Sequence, residues 1–251
     1  MDITKSGVNE SRHSIKDLET YSLMEEAFNK SQMQLFDKLE AFPRFTSKRS
    51  LARFIVKYEI FKNILSINGV IIECGVYNGS GLFSWAQLSN IFEPVNYNRK
   101  IIGFDTFEGF VEIGESDINV DKKPCVGDLR GAELGEFELS VKKYSNERHL
   151  MHIKNIELVK GDFIITGQKY IEQNPHLIVS LLYLDFDLYE PTKKALELFL
   201  PRMCKGAIVC FDQLNCINFP GETKALIEEF DLKKYELKRF PIDPWISYIT
   251  L

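Results

Sequence analysis

The sequence predicts an α/β fold: an open, mostly parallel, Rossmann-like sheet with helices on both faces. Three observations predict it. Five short runs rich in β-branched residues recur, and each closes on an acid or a glycine turn. Segments with apolar residues at helical spacing lie between most of them. The C-terminal stretch differs, with strand-like runs at residues 234–240 and 245–251 set apart by Pro241, Asp243 and Pro244. Alternating strands and helices are the pattern of a parallel sheet. The terminal pair is expected to add an antiparallel hairpin at the edge, for seven strands in all.

Each element follows from local pattern. Residues 1–20 are polar and predicted to be loose, and Met1 to Arg12 lacks the apolar core of a signal peptide. Over residues 21–42, Leu23, Met24, Ala27, Phe28, Leu35, Phe36 and Leu39 recur at helical spacing. A second helix is predicted over residues 48–65, with Ser47 as its cap and Leu51, Phe54, Ile55, Tyr58 and Phe61 as its apolar stripe. The strands are predicted at residues 69–75, 100–105, 155–162, 177–185 and 206–212. Helical patterns occupy residues 80–92, 192–199 and 222–230. Residues 106–154 are long for a connection, carry Gly114, Gly127, Gly131 and Gly135, and contain a helical piece near residues 139–151. An insert of that length is usually functional or irregular, and a lid around residues 110–150 is expected. Residues 1–66 thus read as a helical extension packing on one α/β domain, residues 67–251.

Composition narrows the function. The chain has 251 residues, 45% hydrophobic and 27% charged, with a net charge of −5. An acidic chain does not match the basic face of a nucleic-acid binder, so a small-molecule partner is expected. No stretch reaches the roughly 18 apolar residues that span a bilayer. The five cysteines form no C-x-x-C pair, which points to reduced thiols in a cytoplasmic protein rather than disulfides or zinc.

The chemistry gathers at the strand ends. In open α/β sheets, ligands bind beyond the carboxyl ends of the strands, where Glu73, Asp105, Asp162, Asp185 and Asp212 are expected. One such acid is ordinarily a helix cap, but five on one rim repel one another unless something uses them. The loop Glu73-Cys74-Gly75-Val76-Tyr77-Asn78-Gly79-Ser80-Gly81 lets backbone approach a ligand closely, with a helix N-terminus behind it for an anionic group. It is not a P-loop, because no Gly-Lys-Ser/Thr follows, nor G-x-G-x-x-G, since Tyr77 fills the middle position. Glu73 suits an ammonium, so loop and acid together suit the methionine end of S-adenosyl-L-methionine. Asp105, followed by Thr106, is placed to accept ribose hydroxyls. Gly161, Asp162 and Phe163 offer an acid for an adenine amine and a ring for its face. Asp185 and Asp187 stand two residues apart after a buried strand, and Asp212-Gln213 ends the next. Asp185, Asp212 and the Gln213 carbonyl form an oxygen-only set suited to Mg2+, the alternative being helix caps.

These residues resemble the macrocin O-methyltransferase family, enzymes of sugar methylation in antibiotic and polysaccharide pathways. The resemblance rests on Asp185-Phe186-Asp187-Leu188-Tyr189-Glu190-Pro191-Thr192, on Gly206-Ala207-Ile208-Val209 with Asp212, on Glu73-Cys74-Gly75-Val76, and on Phe104-Asp105-Thr106-Phe107-Glu108-Gly109-Phe110. Phe42-Pro43-Arg44-Phe45 with Arg53-Phe54 and Tyr58-Glu59 resembles members acting on nucleotide-carried deoxysugars. It covers roughly residues 42–230. It implies a class I methyltransferase fold, S-adenosyl-L-methionine and Mg2+ as cofactors, and a sugar or nucleotide-sugar substrate with methylation at a 3-hydroxyl among the options. It further implies metal on Asp185, Asp212 and Gln213, a share of Asp185 in cofactor binding, Asp187 as base, and a homo-oligomer. The family usually has Asp where this chain has Gln213.

Two rivals remain on the sequence. A short-chain dehydrogenase would use Gly75, Gly79 and Gly81 for NAD(P) and Tyr189 with Lys193 as its Y-x-x-x-K pair. Tyr58 with Lys62 fits that pattern equally well, and the acids at Asp185 and Asp212 would then lack a purpose. A non-catalytic binding protein of methyltransferase type draws support from Gln213 alone. Cofactor choice separates the first rival, and metal-dependent activity the second.

Overall fold

The computed structural model describes residues 15–118 and 124–251. The polar stretch Met1 to Arg12 and His13 lie outside these residues, as do residues 119–123 of the long insert. The described residues form two compact units, divided between Ile55 and Val56.

In the first unit, α1 (Ile15–Lys30), α2 (Leu35–Glu40) and α3 (Phe42–Phe45) follow in succession, and α4 (Lys48–Ile64) begins. The single helix expected over residues 21–42 is broken at 31–34. Ser31 Oγ accepts the Met33 amide at 3.4 Å, a local bond that competes with the helical ladder. Lys38 then donates to the Phe28 carbonyl at 2.7 Å, satisfying a carbonyl that the end of α1 leaves free. Phe28 meets Phe45 edge-on, ring centroids 5.3 Å apart. Ser47 caps α4 by accepting the Ser50 amide at 3.0 Å.

The second unit holds one seven-stranded sheet of order β3-β2-β1-β4-β5-β7-β6. Its strands are β1 (Val70–Cys74), β2 (Ile101–Asp105), β3 (Ile156–Lys160), β4 (Val179–Leu184), β5 (Met203–Phe211), β6 (Lys238–Phe240) and β7 (Asp243–Thr250). β1 to β5 run parallel, and β7 runs antiparallel to both β5 and β6. The mostly parallel sheet and C-terminal hairpin expected from the sequence are therefore present. β5 starts earlier than its apolar run, because Gly206 at φ 90° accompanies a register shift opposite Val179 and Leu181. That irregularity leaves Cys204 and Lys205 exposed, so the pattern hides them.

Alternation along the strands makes two cores. Ile72, Cys74, Phe104, Leu182, Leu184, Val209 and Phe211 face one way. They meet α7 (Phe163–Gln173), α8 (Tyr189–Phe199) and α9 (Gly221–Glu229). Ile71, Ile101, Leu181, Tyr183, Ile208 and Cys210 face the other, against the second half of α4 and α5 (Ser80–Phe92). The strand period of two produces this division, and burial on both faces produces the continuous apolar runs. α6 (Leu134–Glu147) lies in the long insert. No helix among the described residues is long and apolar enough to cross a membrane.

Phe104 is fully buried, with ring contacts to Phe163 at 5.2 Å, Tyr170 at 5.3 Å and Phe199 at 6.1 Å. Phe104→Ala is expected to cost ~3–5 kcal/mol. In urea the unfolding midpoint should fall while the slope stays unchanged.

Candidate active site

The chain runs from β1 outward to β2 and β3, then returns to β4 on the other side of β1. The strand order reverses between β1 and β4, the place where such sheets bind ligands. Gly75 follows β1 at φ 89°, and a Cβ there would lie 2.0 Å from the Asp185 carbonyl oxygen. Only glycine lets the two strand ends approach so closely. Tyr77 (φ 51°) and Gly79 (φ 80°) complete the turn into α5, whose first residue is Ser80.

Asp105 organises this loop. Its Oδ2 accepts the amides of Val76 at 2.7 Å and Tyr77 at 2.9 Å, and its Oδ1 accepts that of Phe107 at 2.7 Å. A carboxylate offers about four acceptor sites, and these three amides use three of them. Thr106 closes its own turn, donating to the Gly109 carbonyl at 2.7 Å. Gly161 (φ 132°) leads into Asp162, which caps α7 by accepting the Ile164 amide at 2.9 Å. Phe163, read as a face for adenine, is 3% exposed. Its ring packs on Phe104, Phe186 and Phe199 within the core.

Glu73 was expected on the rim, but it lies inside β1 and is 2% exposed. Strand alternation turns its side chain toward α5, where a Cβ on Gly81 would come within 2.2 Å of Glu73 Oε1. Burial pushes the Glu73 carboxyl up to about 8, against the pull of the Lys57 ammonium. Lys57 is itself buried, 4.9 Å from the Tyr183 ring centroid and 3.5 Å from the Tyr183 hydroxyl. That hydroxyl donates to Asp212 Oδ1.

Beside Asp212, carboxylate oxygens of Asp185, Asp187 and Glu222 all lie within 4.8 Å of one another. Asp187 is buried in the left-handed conformation, φ 62°. Its Oδ1 accepts a hydrogen bond from Gln213 Nε2. The carboxylate can only accept, so the amide presents its NH2 here. Glu222 Oε1 accepts the Asp187 amide at 3.2 Å, and Oε2 accepts the Gln213 amide at 3.3 Å. Burial first, then the charges of Asp187 and Asp212, hold the Glu222 carboxyl well above the usual range. Of the expected residues, the structure brings Asp185 and Asp187 together, and Glu222, which was not among them, joins them. Asp212 bonds Tyr183, and the Gln213 side chain bonds Asp187. Glu222 was read only as the start of a helix, although an acid directly after Pro220-Gly221 was the available signal.

The insert is fastened on both sides of the crevice. Buried Asp117 accepts the Tyr189 amide at the start of α8 at 2.7 Å and the Gly114 amide at 3.1 Å. Gly131 packs on the Tyr77 backbone, where a Cβ would come within 2.4 Å. The Tyr189 hydroxyl donates to Glu228 at 2.7 Å and accepts from Lys193 at 2.9 Å. The Y-x-x-x-K pair is thus spent on an ion triad with Glu228.

The Glu73 shift has a pH consequence. Its folded pKa is raised, so its stabilising contribution is complete below about 4.5 and is lost as pH rises through about 8. Between pH 5.5 and 7.5 the wild type should lose about 1–3 kcal/mol relative to Glu73→Gln, read from urea unfolding of both proteins. Parallel pH profiles would show that Glu73 ionises normally.

The sequence pattern of the macrocin-O-methyltransferase (TylF) family matches residues 47–236. The 8-demethyl-8-(2,3-dimethoxy-alpha-L-rhamnosyl)-tetracenomycin-C 4'-O-methyltransferase of Streptomyces olivaceus is 28% identical over 147 residues, 58% of this chain and 53% of the relative. The match therefore spans about half the length of that relative. The calicheamicin methyltransferase CalS11 superposes with a TM-score of 0.89 at 29% identity, covering 95% of this chain and 94% of CalS11. The apo structure of CalS11, described as a TDP-rhamnose 3'-O-methyltransferase, gives 0.81 at 28% identity, covering 95% and 96%. The O-methyltransferase NovP shares the fold, with a TM-score of 0.62 at 20% identity over 79% of each chain. The fold is that of the class I methyltransferases, and the family pattern covers 190 of the 251 residues; the chain belongs to the macrocin O-methyltransferase family.

Proposed function

We propose that the chain transfers the methyl group of S-adenosyl-L-methionine to a hydroxyl of a nucleotide-linked deoxyhexose. The observation that carries this reading is the convergence of Asp185, Asp187 and Glu222 within 4.8 Å, where Gly75 presses on Asp185, in a chain of this family. CalS11 is described as acting on TDP-rhamnose at the 3' position, and the Streptomyces relative on a rhamnosyl group at 4'. Both names specify a rhamnose-type sugar, which supports that acceptor class here, with the 3-hydroxyl as the first position to test.

The acids gathered here, Asp185, Asp187 and Glu222 with Asp212 beside them, fit a hard divalent cation such as Mg2+, because they offer oxygens with no thiolate or imidazole among them. Asp185 and Asp212 would hold the ion, with Gln213 contributing through its carbonyl oxygen or a water. When bound, it supplies charge stabilisation and orientation to the acceptor oxygen.

The chain's own residues account for the other steps. Gly75, Tyr77, Gly79 and Ser80 bring the loop and the start of α5 to the methionine carboxylate. Asp105, Thr106, Gly161 and Asp162 line the adenosine side. The acceptor proton passes to the carboxylate of Asp187, which the Gln213 amide holds in place. The oxygen attacks the sulfonium methyl; the C–O bond forms as the C–S bond breaks, leaving S-adenosylhomocysteine. In-line positioning supplies much of the rate gain. The insert, fixed at Asp117 and Gly131, limits water at the reacting atoms.

Calorimetric titration with S-adenosyl-L-methionine should give micromolar binding, with none for NADPH. TDP-rhamnose and Mg2+ should then support methyl transfer that a chelator abolishes. Asp187→Asn should lower kcat by about 10²–10⁴-fold while leaving cofactor binding intact. Binding of NADPH in place of S-adenosyl-L-methionine would sink the reading, and wild-type turnover in Asp187→Asn would remove the base.

A further inference from the structure

Glu222 has no part in the steps above, yet its surroundings are not those of a simple helix-end acid. It lies in the first turn of α9 and is 1% exposed. An acid there gains from the helix dipole while fully solvated, so that role needs no burial. Glu222 also gives α9 no side-chain cap; the cap position is Pro220. Its two oxygens go instead to two loops of the site. Oε1 accepts the Asp187 amide at 3.2 Å, and Oε2 accepts the Gln213 amide at 3.3 Å. Asp187 follows β4 and Gln213 follows β5, so one side chain from a third element ties two adjacent strand ends together.

The position it holds is a strained one. Asp187 has φ 62°, a region that costs a non-glycine residue roughly 1–2 kcal/mol and persists only where neighbours over-determine it. Among the contacts that hold it are Glu222 on the Asp187 amide and the Gln213 amide on the Asp187 carboxylate. Glu222 also holds the Gln213 amide, in the backbone from which the Gln213 side chain reaches. Gly221 permits this seat, since a Cβ there would lie 2.4 Å from the Tyr189 amide nitrogen and from Asp117 Oδ1.

We propose that Glu222 is a positioning residue for methyl transfer: it clamps the amides of Asp187 and Gln213 and so sets the direction in which the Asp187 carboxylate meets the acceptor hydroxyl. This rests on the assignment of Asp187 as base. The Glu222 clamp acts on the reacting geometry and leaves the cofactor loop after β1 alone. Its loss is therefore expected in kcat, without a matching loss of cofactor affinity.

The test compares wild type, Glu222→Gln, Asp187→Asn and the double variant, with TDP-rhamnose as acceptor and Mg2+ present. Glu222→Gln keeps the size but sets an NH2 against one of the two amides. It should lower kcat at least about tenfold, with KM for S-adenosyl-L-methionine, its calorimetric Kd and the Tm close to wild type. The double variant should be no slower than Asp187→Asn alone, because Glu222 acts through Asp187. Unchanged kcat in Glu222→Gln overturns the proposal, as does a fall in kcat matched by weaker cofactor binding and a lower Tm. Additive losses in the double variant overturn it too. If Glu222→Gln does not fold, Glu222→Asp, with its oxygens drawn back from both amides, carries the same comparison. Wild-type turnover in Asp187→Asn would instead show that the base assignment had failed, a result distinct from a failure of the clamp alone.

Discussion

Four carboxylates, those of Asp185, Asp187, Asp212 and Glu222, crowd the place where β4 and β5 end, and the local structure is arranged around their mutual repulsion. Like charges in a poorly solvated site oppose one another's ionisation; Asp187 and Asp212 both push the Glu222 carboxyl up. Asp212, Asp187 and Glu222 are each met by a donor. The Tyr183 hydroxyl serves Asp212, the Gln213 amide serves Asp187, and two backbone amides serve Glu222. Such an arrangement is costly to keep without a counter-charge. The divalent cation proposed for Asp185 and Asp212 would supply that charge.

The same constraint extends through the sheet. Glu73 and Tyr183 are register partners on β1 and β4, and alternation sends both side chains toward α4 and α5. Lys57 lies against the Tyr183 ring and pulls on Glu73. A polar path therefore runs from Lys57 through the Tyr183 hydroxyl to Asp212. The acid that the sequence placed on the rim belongs to this buried support.

Much of this was legible because it lies in contiguous stretches. A β-branched run closing on Gly75, Asp105, Asp185 or Asp212 states both a strand and its end, and the parallel sheet then places those ends together. What stayed hidden depends on contacts across the sequence. Glu222 bonds a residue 35 positions away, and Tyr183 one 29 away; no local spacing records either. Glu73 was misplaced by a single step of strand alternation. Phe163 follows Gly161-Asp162 as an adenine-facing ring would, but α7 begins there and turns it onto Phe104 and Phe199. The break between α1 and α2 was missed because the apolar spacing runs on while Ser31 bonds the backbone locally.

Gln213 shows how one departure from the family pattern fits the whole. Read alone, it looks like a weakened metal ligand, one methylene longer than Asp. In the structure its nitrogen donates to Asp187. An acid reaching to that point would set another negative charge against Asp187 beside Asp185, Asp212 and Glu222. A neutral amide supplies a donor to Asp187 instead, and its other atom remains an oxygen that can turn to a cation or a water. Glutamine thereby relieves charge crowding and steadies the strained residue assigned as base.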